Sequence, residues 1–186
     1  FQSEKIALRP FEADDLAALH SYLNHPELIG RRYLPWGTPD ELPLTQAQVS
    51  KVIERWQQGE KGLRLAMVSR AEDLLIGHVD CDWEWDALHA GLSVVIAPEQ
   101  QRKGYGTAAA RLAIAYVFDS TPANAVNAWI GGWNETGLAF ARSLGFQPCG
   151  GMRWSGLRAG KPYDTLVFDL LRREWKAQEV SRATGR

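Results

Sequence analysis

The sequence predicts an α/β domain of the layered α+β kind, with a mixed sheet of about seven strands flanked by about four helices. Three observations lead there. The hydrophobic period switches between two and 3.6 along the chain, in the order strand, two helices, three strands, helix, strand, helix, two strands. A chain of 186 residues, 45% hydrophobic and 23% charged, is long enough to build one core without staples. An apolar strand ending at Ile96 also runs through a glycine-containing turn into a helix, a strand–turn–helix unit that joins sheet and helix layers.

Each element has a local reason. Ile6 and Leu8 alternate with polar neighbours, and Pro10 closes that strand. Asp14-Asp15 open a helix with Leu16, Leu19 and Leu23 on one face, and residues 25–43 form a Pro/Gly-rich loop. Thr45-Gln46-Ala47-Gln48 has capping-box spacing, and Val49, Val52, Ile53 and Trp56 follow as an apolar helix face. Strands follow at Leu63–Met67, Leu74–Trp85 and Ala90–Ile96, and a helix runs from about Gly104 to Phe118. Ala125–Ile130 is a strand, and Glu135–Leu144 is a helix capped by Asn134. Two final strands, Gln147–Trp154 and Thr165–Leu171, are separated by a loop at Gly156–Gly160. The expected domain is therefore residues 4–175. Phe1-Gln2-Ser3 resemble what a protease leaves of an expression tag, and residues 176–186 read as a frayed polar tail.

Composition excludes several classes. Twenty-one Lys+Arg against 22 Asp+Glu give a charge of −1, unlike a dedicated nucleic-acid binder. No apolar run reaches the ~20 residues of a membrane span. Cys81 and Cys149 form neither a disulfide framework nor a metal spacing, so no metal site and a reducing, cytoplasmic setting are expected.

The chemistry is concentrated between Val94 and Thr107, where Arg102 and Lys103 lie between the strand and Gly104-Tyr105-Gly106. Free amides at a helix N-terminus form an anion site, and the two cations add charge for phosphates. A glycine-rich turn with solvated cations is the ordinary alternative. Gly104-Tyr105-Gly106 with Ala109 imitates a dinucleotide fingerprint, but residues 98–103 intervene after the strand and the next strand ends without an acid. A P-loop would place lysine after the glycine, whereas Lys103 precedes it.

Gln101-x-x-Gly104-x-Gly106, followed by Asn134 and by Gly145-Phe146 beyond a short helix, closely resembles the GNAT acetyltransferase superfamily. Leu8-Arg9-Pro10-Phe11 and the segment from Gly160-Lys161 to Trp175 resemble one branch, the ribosomal-protein N-terminal acetyltransferases (RimJ/RimL type) and relatives acting on small amines. The resemblance implies a mostly antiparallel sheet splayed between its fourth and fifth strands. It implies acetyl-CoA as acyl donor, with Gln101, Arg102, Lys103, Gly104, Tyr105, Gly106 and Thr107 around its pyrophosphate. Val94, Val95 and Ile96 would meet the pantetheine through backbone groups, the Val94 N–H would bind the thioester oxygen, and Asn134 would touch the pantetheine. The implied reaction is direct attack of a primary amine on the thioester in a ternary complex. The amine belongs to a protein N-terminus or to a small molecule.

The chain departs from the family where an acid and a base are common. Ala90-Gly91 stand in place of the fourth-strand glutamate, Ala141 in place of the tyrosine, and Gly137 in place of a serine found in some relatives. A lysine-type amine costs about 4–5 kcal/mol to deprotonate at neutral pH, and an α-amine about 1. The site is therefore matched to a low-pKa amine. Substitute proton acceptors are Asp82 and Glu84, on a strand face shared with His78 and Asp80, and His89 in the following hairpin. That face reads equally as a solvated polar stripe. Tyr33, Trp36, Trp83 and Trp133 are candidates for an aromatic acceptor wall that attracts an ammonium by cation–π interaction. An exposed edge strand or the tryptophan-rich hairpin offers a surface for a homodimer. The rival function is a catalytically silent acyl-CoA-binding module of the same fold.

Overall fold

The computed structural model describes residues 1–31, 42–59 and 62–185, without the side chains of Glu84 and Trp85. Seven strands, β1 (Ile6–Arg9), β2 (Gly62–Ser69), β3 (Leu74–Asp86), β4 (His89–Ile96), β5 (Ala125–Gly131), β6 (Gln147–Arg158) and β7 (Lys161–Leu171), form one sheet in the order β1-β2-β3-β4-β5-β7-β6. The sheet is mixed and mostly antiparallel. Its parallel pair is β4 with β5, in register only from His89↔Ala125 to Gly91↔Asn127. Among the described residues there are five α-helices: α1 (Leu16–Leu23), α2 (Gln46–Gln57), α3 (Tyr105–Ser120), α4 (Glu135–Ser143) and α5 (Arg172–Ala183). None is long and apolar enough to cross a membrane.

The chain divides into two compact units, Phe1–Asp82 with Ser93–Ala113, and Trp83–Leu92 with Ile114–Arg186. In the first, Leu19 and Leu23 of α1 and Val49, Val52, Ile53 and Trp56 of α2 form a core with Phe11, Ala66, Val95 and Ala97. The α2 capping box is present: Gln48 N donates to Thr45 Oγ1 at 3.2 Å, and Thr45 N to Gln48 Oε1 at 2.8 Å. Arg9 grips Asp15 with both guanidinium nitrogens, at 2.7 and 2.8 Å, and so ties β1 to the turn that opens α1.

Two members of the polar stripe on β3, His78 and Asp80, are not solvated. His78 is fully buried, its Nδ1 2.8 Å from Tyr22 Oη, among Phe11, Tyr22 and Trp56. Asp80 pairs with Arg64 at 3.0 Å, and both side chains are largely covered. His78 and Asp80 on this strand are packed, so alternation correctly predicts a strand here but not the solvent exposure of these two residues.

In the second unit, β5 lies beside β7, which pairs with β6 in a long hairpin. The sequence expectation of a loop at Gly156–Gly160 is corrected. β6 continues to Arg158, and the turn is only Ala159-Gly160. The irregularity instead falls earlier, where residues 153–155 bulge between the pairs Met152↔Thr165 and Gly156↔Tyr163. Trp154 N there donates to Asp164 Oδ1 at 2.8 Å, which offsets the broken ladder. The frayed tail is likewise corrected: residues 172–183 are helical. Buried Trp175 packs its ring 6.5 Å from Phe118, and Arg172 donates to the carbonyl of Phe118 in the last turn of α3 and to those of Thr121 and Ala123 just beyond it. These anchors hold a helix whose remaining residues are mostly polar.

Candidate active site

The loop from Ala97 to Thr107 is built to leave amides free. After β4 a single 3-10 turn, Pro98–Gln100, is closed by Gln100 N to Ala97 O at 2.8 Å and Gln101 N to Pro98 O at 3.2 Å. Arg102 (φ 61°) and Gly104 (φ 83°) then adopt left-handed conformations on either side of Lys103. Such a path curls successive N–H groups into a concave nest, and glycine takes it without the strain that an L side chain adds. Ala108 N donates to Gly104 O at 3.1 Å, the first bond of the α3 N-terminus. Gln101-Arg102 form a hydrogen-bonded turn, and the first-turn amides of α3, at Tyr105, Gly106 and Thr107, have no intrahelical acceptor. These three donors at the α3 N-terminus, beside the left-handed Gly104, are suited to an anion.

The side chains of the loop have distinct tasks. Gln101 Nε2 donates to the Ile96 carbonyl at 3.2 Å, so it steadies the strand end. Lys103 Nζ turns to Gln100 Oε1 at 2.7 Å, while Arg102 is exposed. Lys5, which no sequence motif singles out, donates from Nζ to the Lys103 carbonyl at 3.1 Å.

Ala97 N donates to Ile76 O of β3 at 2.8 Å. Strand alternation then directs the backbone groups of Val95 to β3 and those of Val94 and Ile96 away from it. Val95 is also 3% exposed and belongs to the core. The Ile96 carbonyl already serves Gln101, so the groups offered by this strand are the Ile96 N–H and the N–H and C=O of Val94.

In the second unit, Asn134 caps α4: its Oδ1 accepts from Gly137 N at 3.1 Å. A Cβ on Gly137 would stand 2.6 Å from Asn134 Nδ2 and 3.2 Å from Ile130, so the cap itself has no room for a serine there. Gly145 (φ 90°) ends α4, with Phe146 N donating to Ala141 O at 3.1 Å and Gly145 N to Arg142 O at 3.0 Å. That Schellman closure explains the spacing from Asn134 to Gly145-Phe146 as the two caps of one helix.

The two alanines at which the family resemblance leads one to expect an acid or a base are buried. Ala90 is fully buried and Ala141 is 4% exposed. His89 is exposed, its Nδ1 2.9 Å from Asp86 Oδ2, and the same carboxylate accepts from the amides of Leu88 and His89. The His89 hydrogen bond, with that of the Leu88 amide, holds the Asp86 carboxyl below the usual carboxylate range. Asp82, on β3 opposite Gly62, is partly covered, as is Trp83. Tyr33 and Trp36 lie outside the described residues, and so does the side chain of Glu84. Trp133 already carries a cation: Arg158 Cζ lies 3.7 Å from its ring centroid, and Tyr163 meets it edge-on at 6.1 Å. One face of that candidate acceptor wall is filled by the protein's own guanidinium.

Comparison with known proteins agrees with this geometry. A family model described as an acetyltransferase (GNAT) domain matches residues 5–147. The chain is similar to an uncharacterised N-acetyltransferase of Bacillus subtilis, YnaD, at 22% identity over 174 residues, covering 93% of this chain and 97% of that protein. Its fold is similar to that of a GNAT-family acetyltransferase from Bacillus anthracis, with TM-score 0.79 and 20% identity over 93% of this chain and 98% of that one. It is equally similar to a spermidine N-acetyltransferase from Vibrio cholerae in complex with CoA and spermine, with TM-score 0.79 and 18% identity over 94% and 99% of the two chains. With the family model covering most of its length and the amide nest in place, the chain belongs to the GNAT acetyltransferase family and is an acetyltransferase that uses acetyl-CoA.

Proposed function

We propose that the protein acetylates a primary amine of low pKa, a peptide or protein α-amine or a small amine of similar basicity, by direct attack within a ternary complex. One observation supports the choice of acceptor: Ala90 and Ala141, at positions where the family resemblance leads one to expect an acid or a base, are buried alanines. An ammonium of pKa ~10.4 would need about 4–5 kcal/mol to yield its lone pair near neutral pH, and an α-ammonium about 1. The branch resemblance at Leu8–Phe11 and Gly160–Trp175 supports the peptide reading. Arg158 over Trp133 argues against a polycation, because the aromatic face already holds a positive charge.

Acetyl-CoA supplies an activated acetyl thioester. The amides of residues 102–107 bind phosphate oxygens, and the Val94 N–H donates to the acetyl carbonyl oxygen, where negative charge develops. Asn134 contributes its Nδ2 to the pantetheine, since its oxygen is spent on the helix cap. Asp82, Glu84 and His89 are the groups proposed to take up the amine proton, directly or through water, and single substitutions separate them.

Thiol release from acetyl-CoA, measured against peptides with free α-amines, small monoamines and spermine, tests the reading. Turnover of α-amines well above that of spermine is expected. Preferred turnover of spermine or of a lysine side chain would overturn it.

A further inference from the structure

Two lysines stand at the anion loop, and they are not used as the motif suggests. Lys103 belongs to the loop, yet its ammonium is drawn to Gln100. Lys5 lies just before β1, 98 positions from Lys103. Its Nζ donates to the Lys103 carbonyl and stands 3.2 Å from the place a Cβ on Gly104 would occupy. An ammonium has three donors, and one is used here. Among the described residues no carboxylate lies within ion-pair distance of Lys5, which is exposed. A positive charge therefore rests beside the N-terminus of α3, whose first-turn amides have no intrahelical acceptor. Cation and dipoles of the same sign repel unless an anion lies between them, so the arrangement is suited to a multiply charged phosphate.

We propose that Lys5 is a coenzyme-binding residue. Its ammonium contacts the phosphate groups of acetyl-CoA, while its bond to the Lys103 carbonyl holds the curl that exposes the loop amides. This rests on acetyl-CoA as the donor and is independent of which amine is acetylated.

Calorimetric titration of coenzyme A and of 3′-dephospho-coenzyme A into the protein and its Lys5→Gln, Lys5→Arg and Lys103→Gln variants tests the proposal. Pantetheine, which lacks every phosphate, is followed by displacement of bound coenzyme A, and thermal melting checks each fold. Lys5→Gln is expected to weaken coenzyme A about 5- to 20-fold, Lys5→Arg by about threefold or less, and Lys103→Gln by less than Lys5→Gln. Pantetheine affinity is expected to stay the same in Lys5→Gln. A loss that persists with the dephospho compound assigns Lys5 to the diphosphate, and a loss that vanishes assigns it to the 3′-phosphate. Coenzyme A binding within twofold of wild type in Lys5→Gln would overturn the proposal, as would an equal loss for pantetheine. Failure of the unmodified protein to bind coenzyme A would instead remove the donor itself.

Discussion

Single residues at two positions in the first unit have separable tasks. Arg9 holds Asp15, which burial alone would raise but which the Arg9 hydrogen bonds and the Glu12 amide bring below the ordinary carboxylate value. A carboxyl lowered in the folded state stabilises it fully above its unfolded pKa near 3.9, and that stability is lost as pH falls through the lower folded value. Arg9→Leu should cost about 1–2 kcal/mol at pH 6, allowing for the partial exposure of Arg9. The gap to wild type should close below about pH 4, read from melting temperatures across pH. Gly104 acts through its backbone. Gly104→Glu forces a side chain into a left-handed position beside Lys5 and adds a negative charge to an anion site. Coenzyme A binding by titration should fall by at least about tenfold, with a far smaller change in melting temperature than a core mutation gives.

At the scale of elements, helix ends were the most legible features. The Thr45–Gln48 box, the Asn134 cap and the Gly145 closure all depend on residues within a few positions of one another, and all appear as their spacing implies. Residues 172–183 show the opposite case. Most of α5 is polar, and its anchors lie on a distant element: Trp175 meets Phe118, and Arg172 reaches the carbonyls beyond α3. Arg172→Met should therefore destabilise the fold by about 2–4 kcal/mol, because it strands several buried carbonyls. Denaturant unfolding measures this, and an unchanged midpoint would contradict the anchor. The β6–β7 hairpin extends four residues further on each strand than composition implies, for a similar reason. The bulge at 153–155 depends on Asp164 across the strand pair, a contact that local composition does not encode.

For the whole molecule, the sheet order and its single parallel pair place the chain in the GNAT fold, and the proposed chemistry predicts a pH profile. With no acid or base at Ala90 or Ala141, the rate is expected to follow the free amine itself. kcat/KM for a peptide acceptor should rise about tenfold per pH unit and level off near the α-amine pKa of ~7.8. Steady-state pH profiles with two peptides of different terminal pKa check this. A plateau that stays at one pH for both would assign the titration to the protein. Initial-rate patterns should intersect, as a ternary complex requires, whereas parallel lines would imply a covalent intermediate.

The sequence by itself determined the order of elements from β1 to β7 and the caps of α2 and α4, because each depends on neighbouring residues or on a local periodicity. Tertiary structure decided what a polar residue is for. It buried His78 against Tyr22, paired Asp80 with Arg64, set Arg158 on Trp133 and brought Lys5 to the Lys103 carbonyl in place of the loop's own lysine. Those outcomes join residues far apart in the chain, where strand pairing and hairpin geometry, not local propensity, choose the partner.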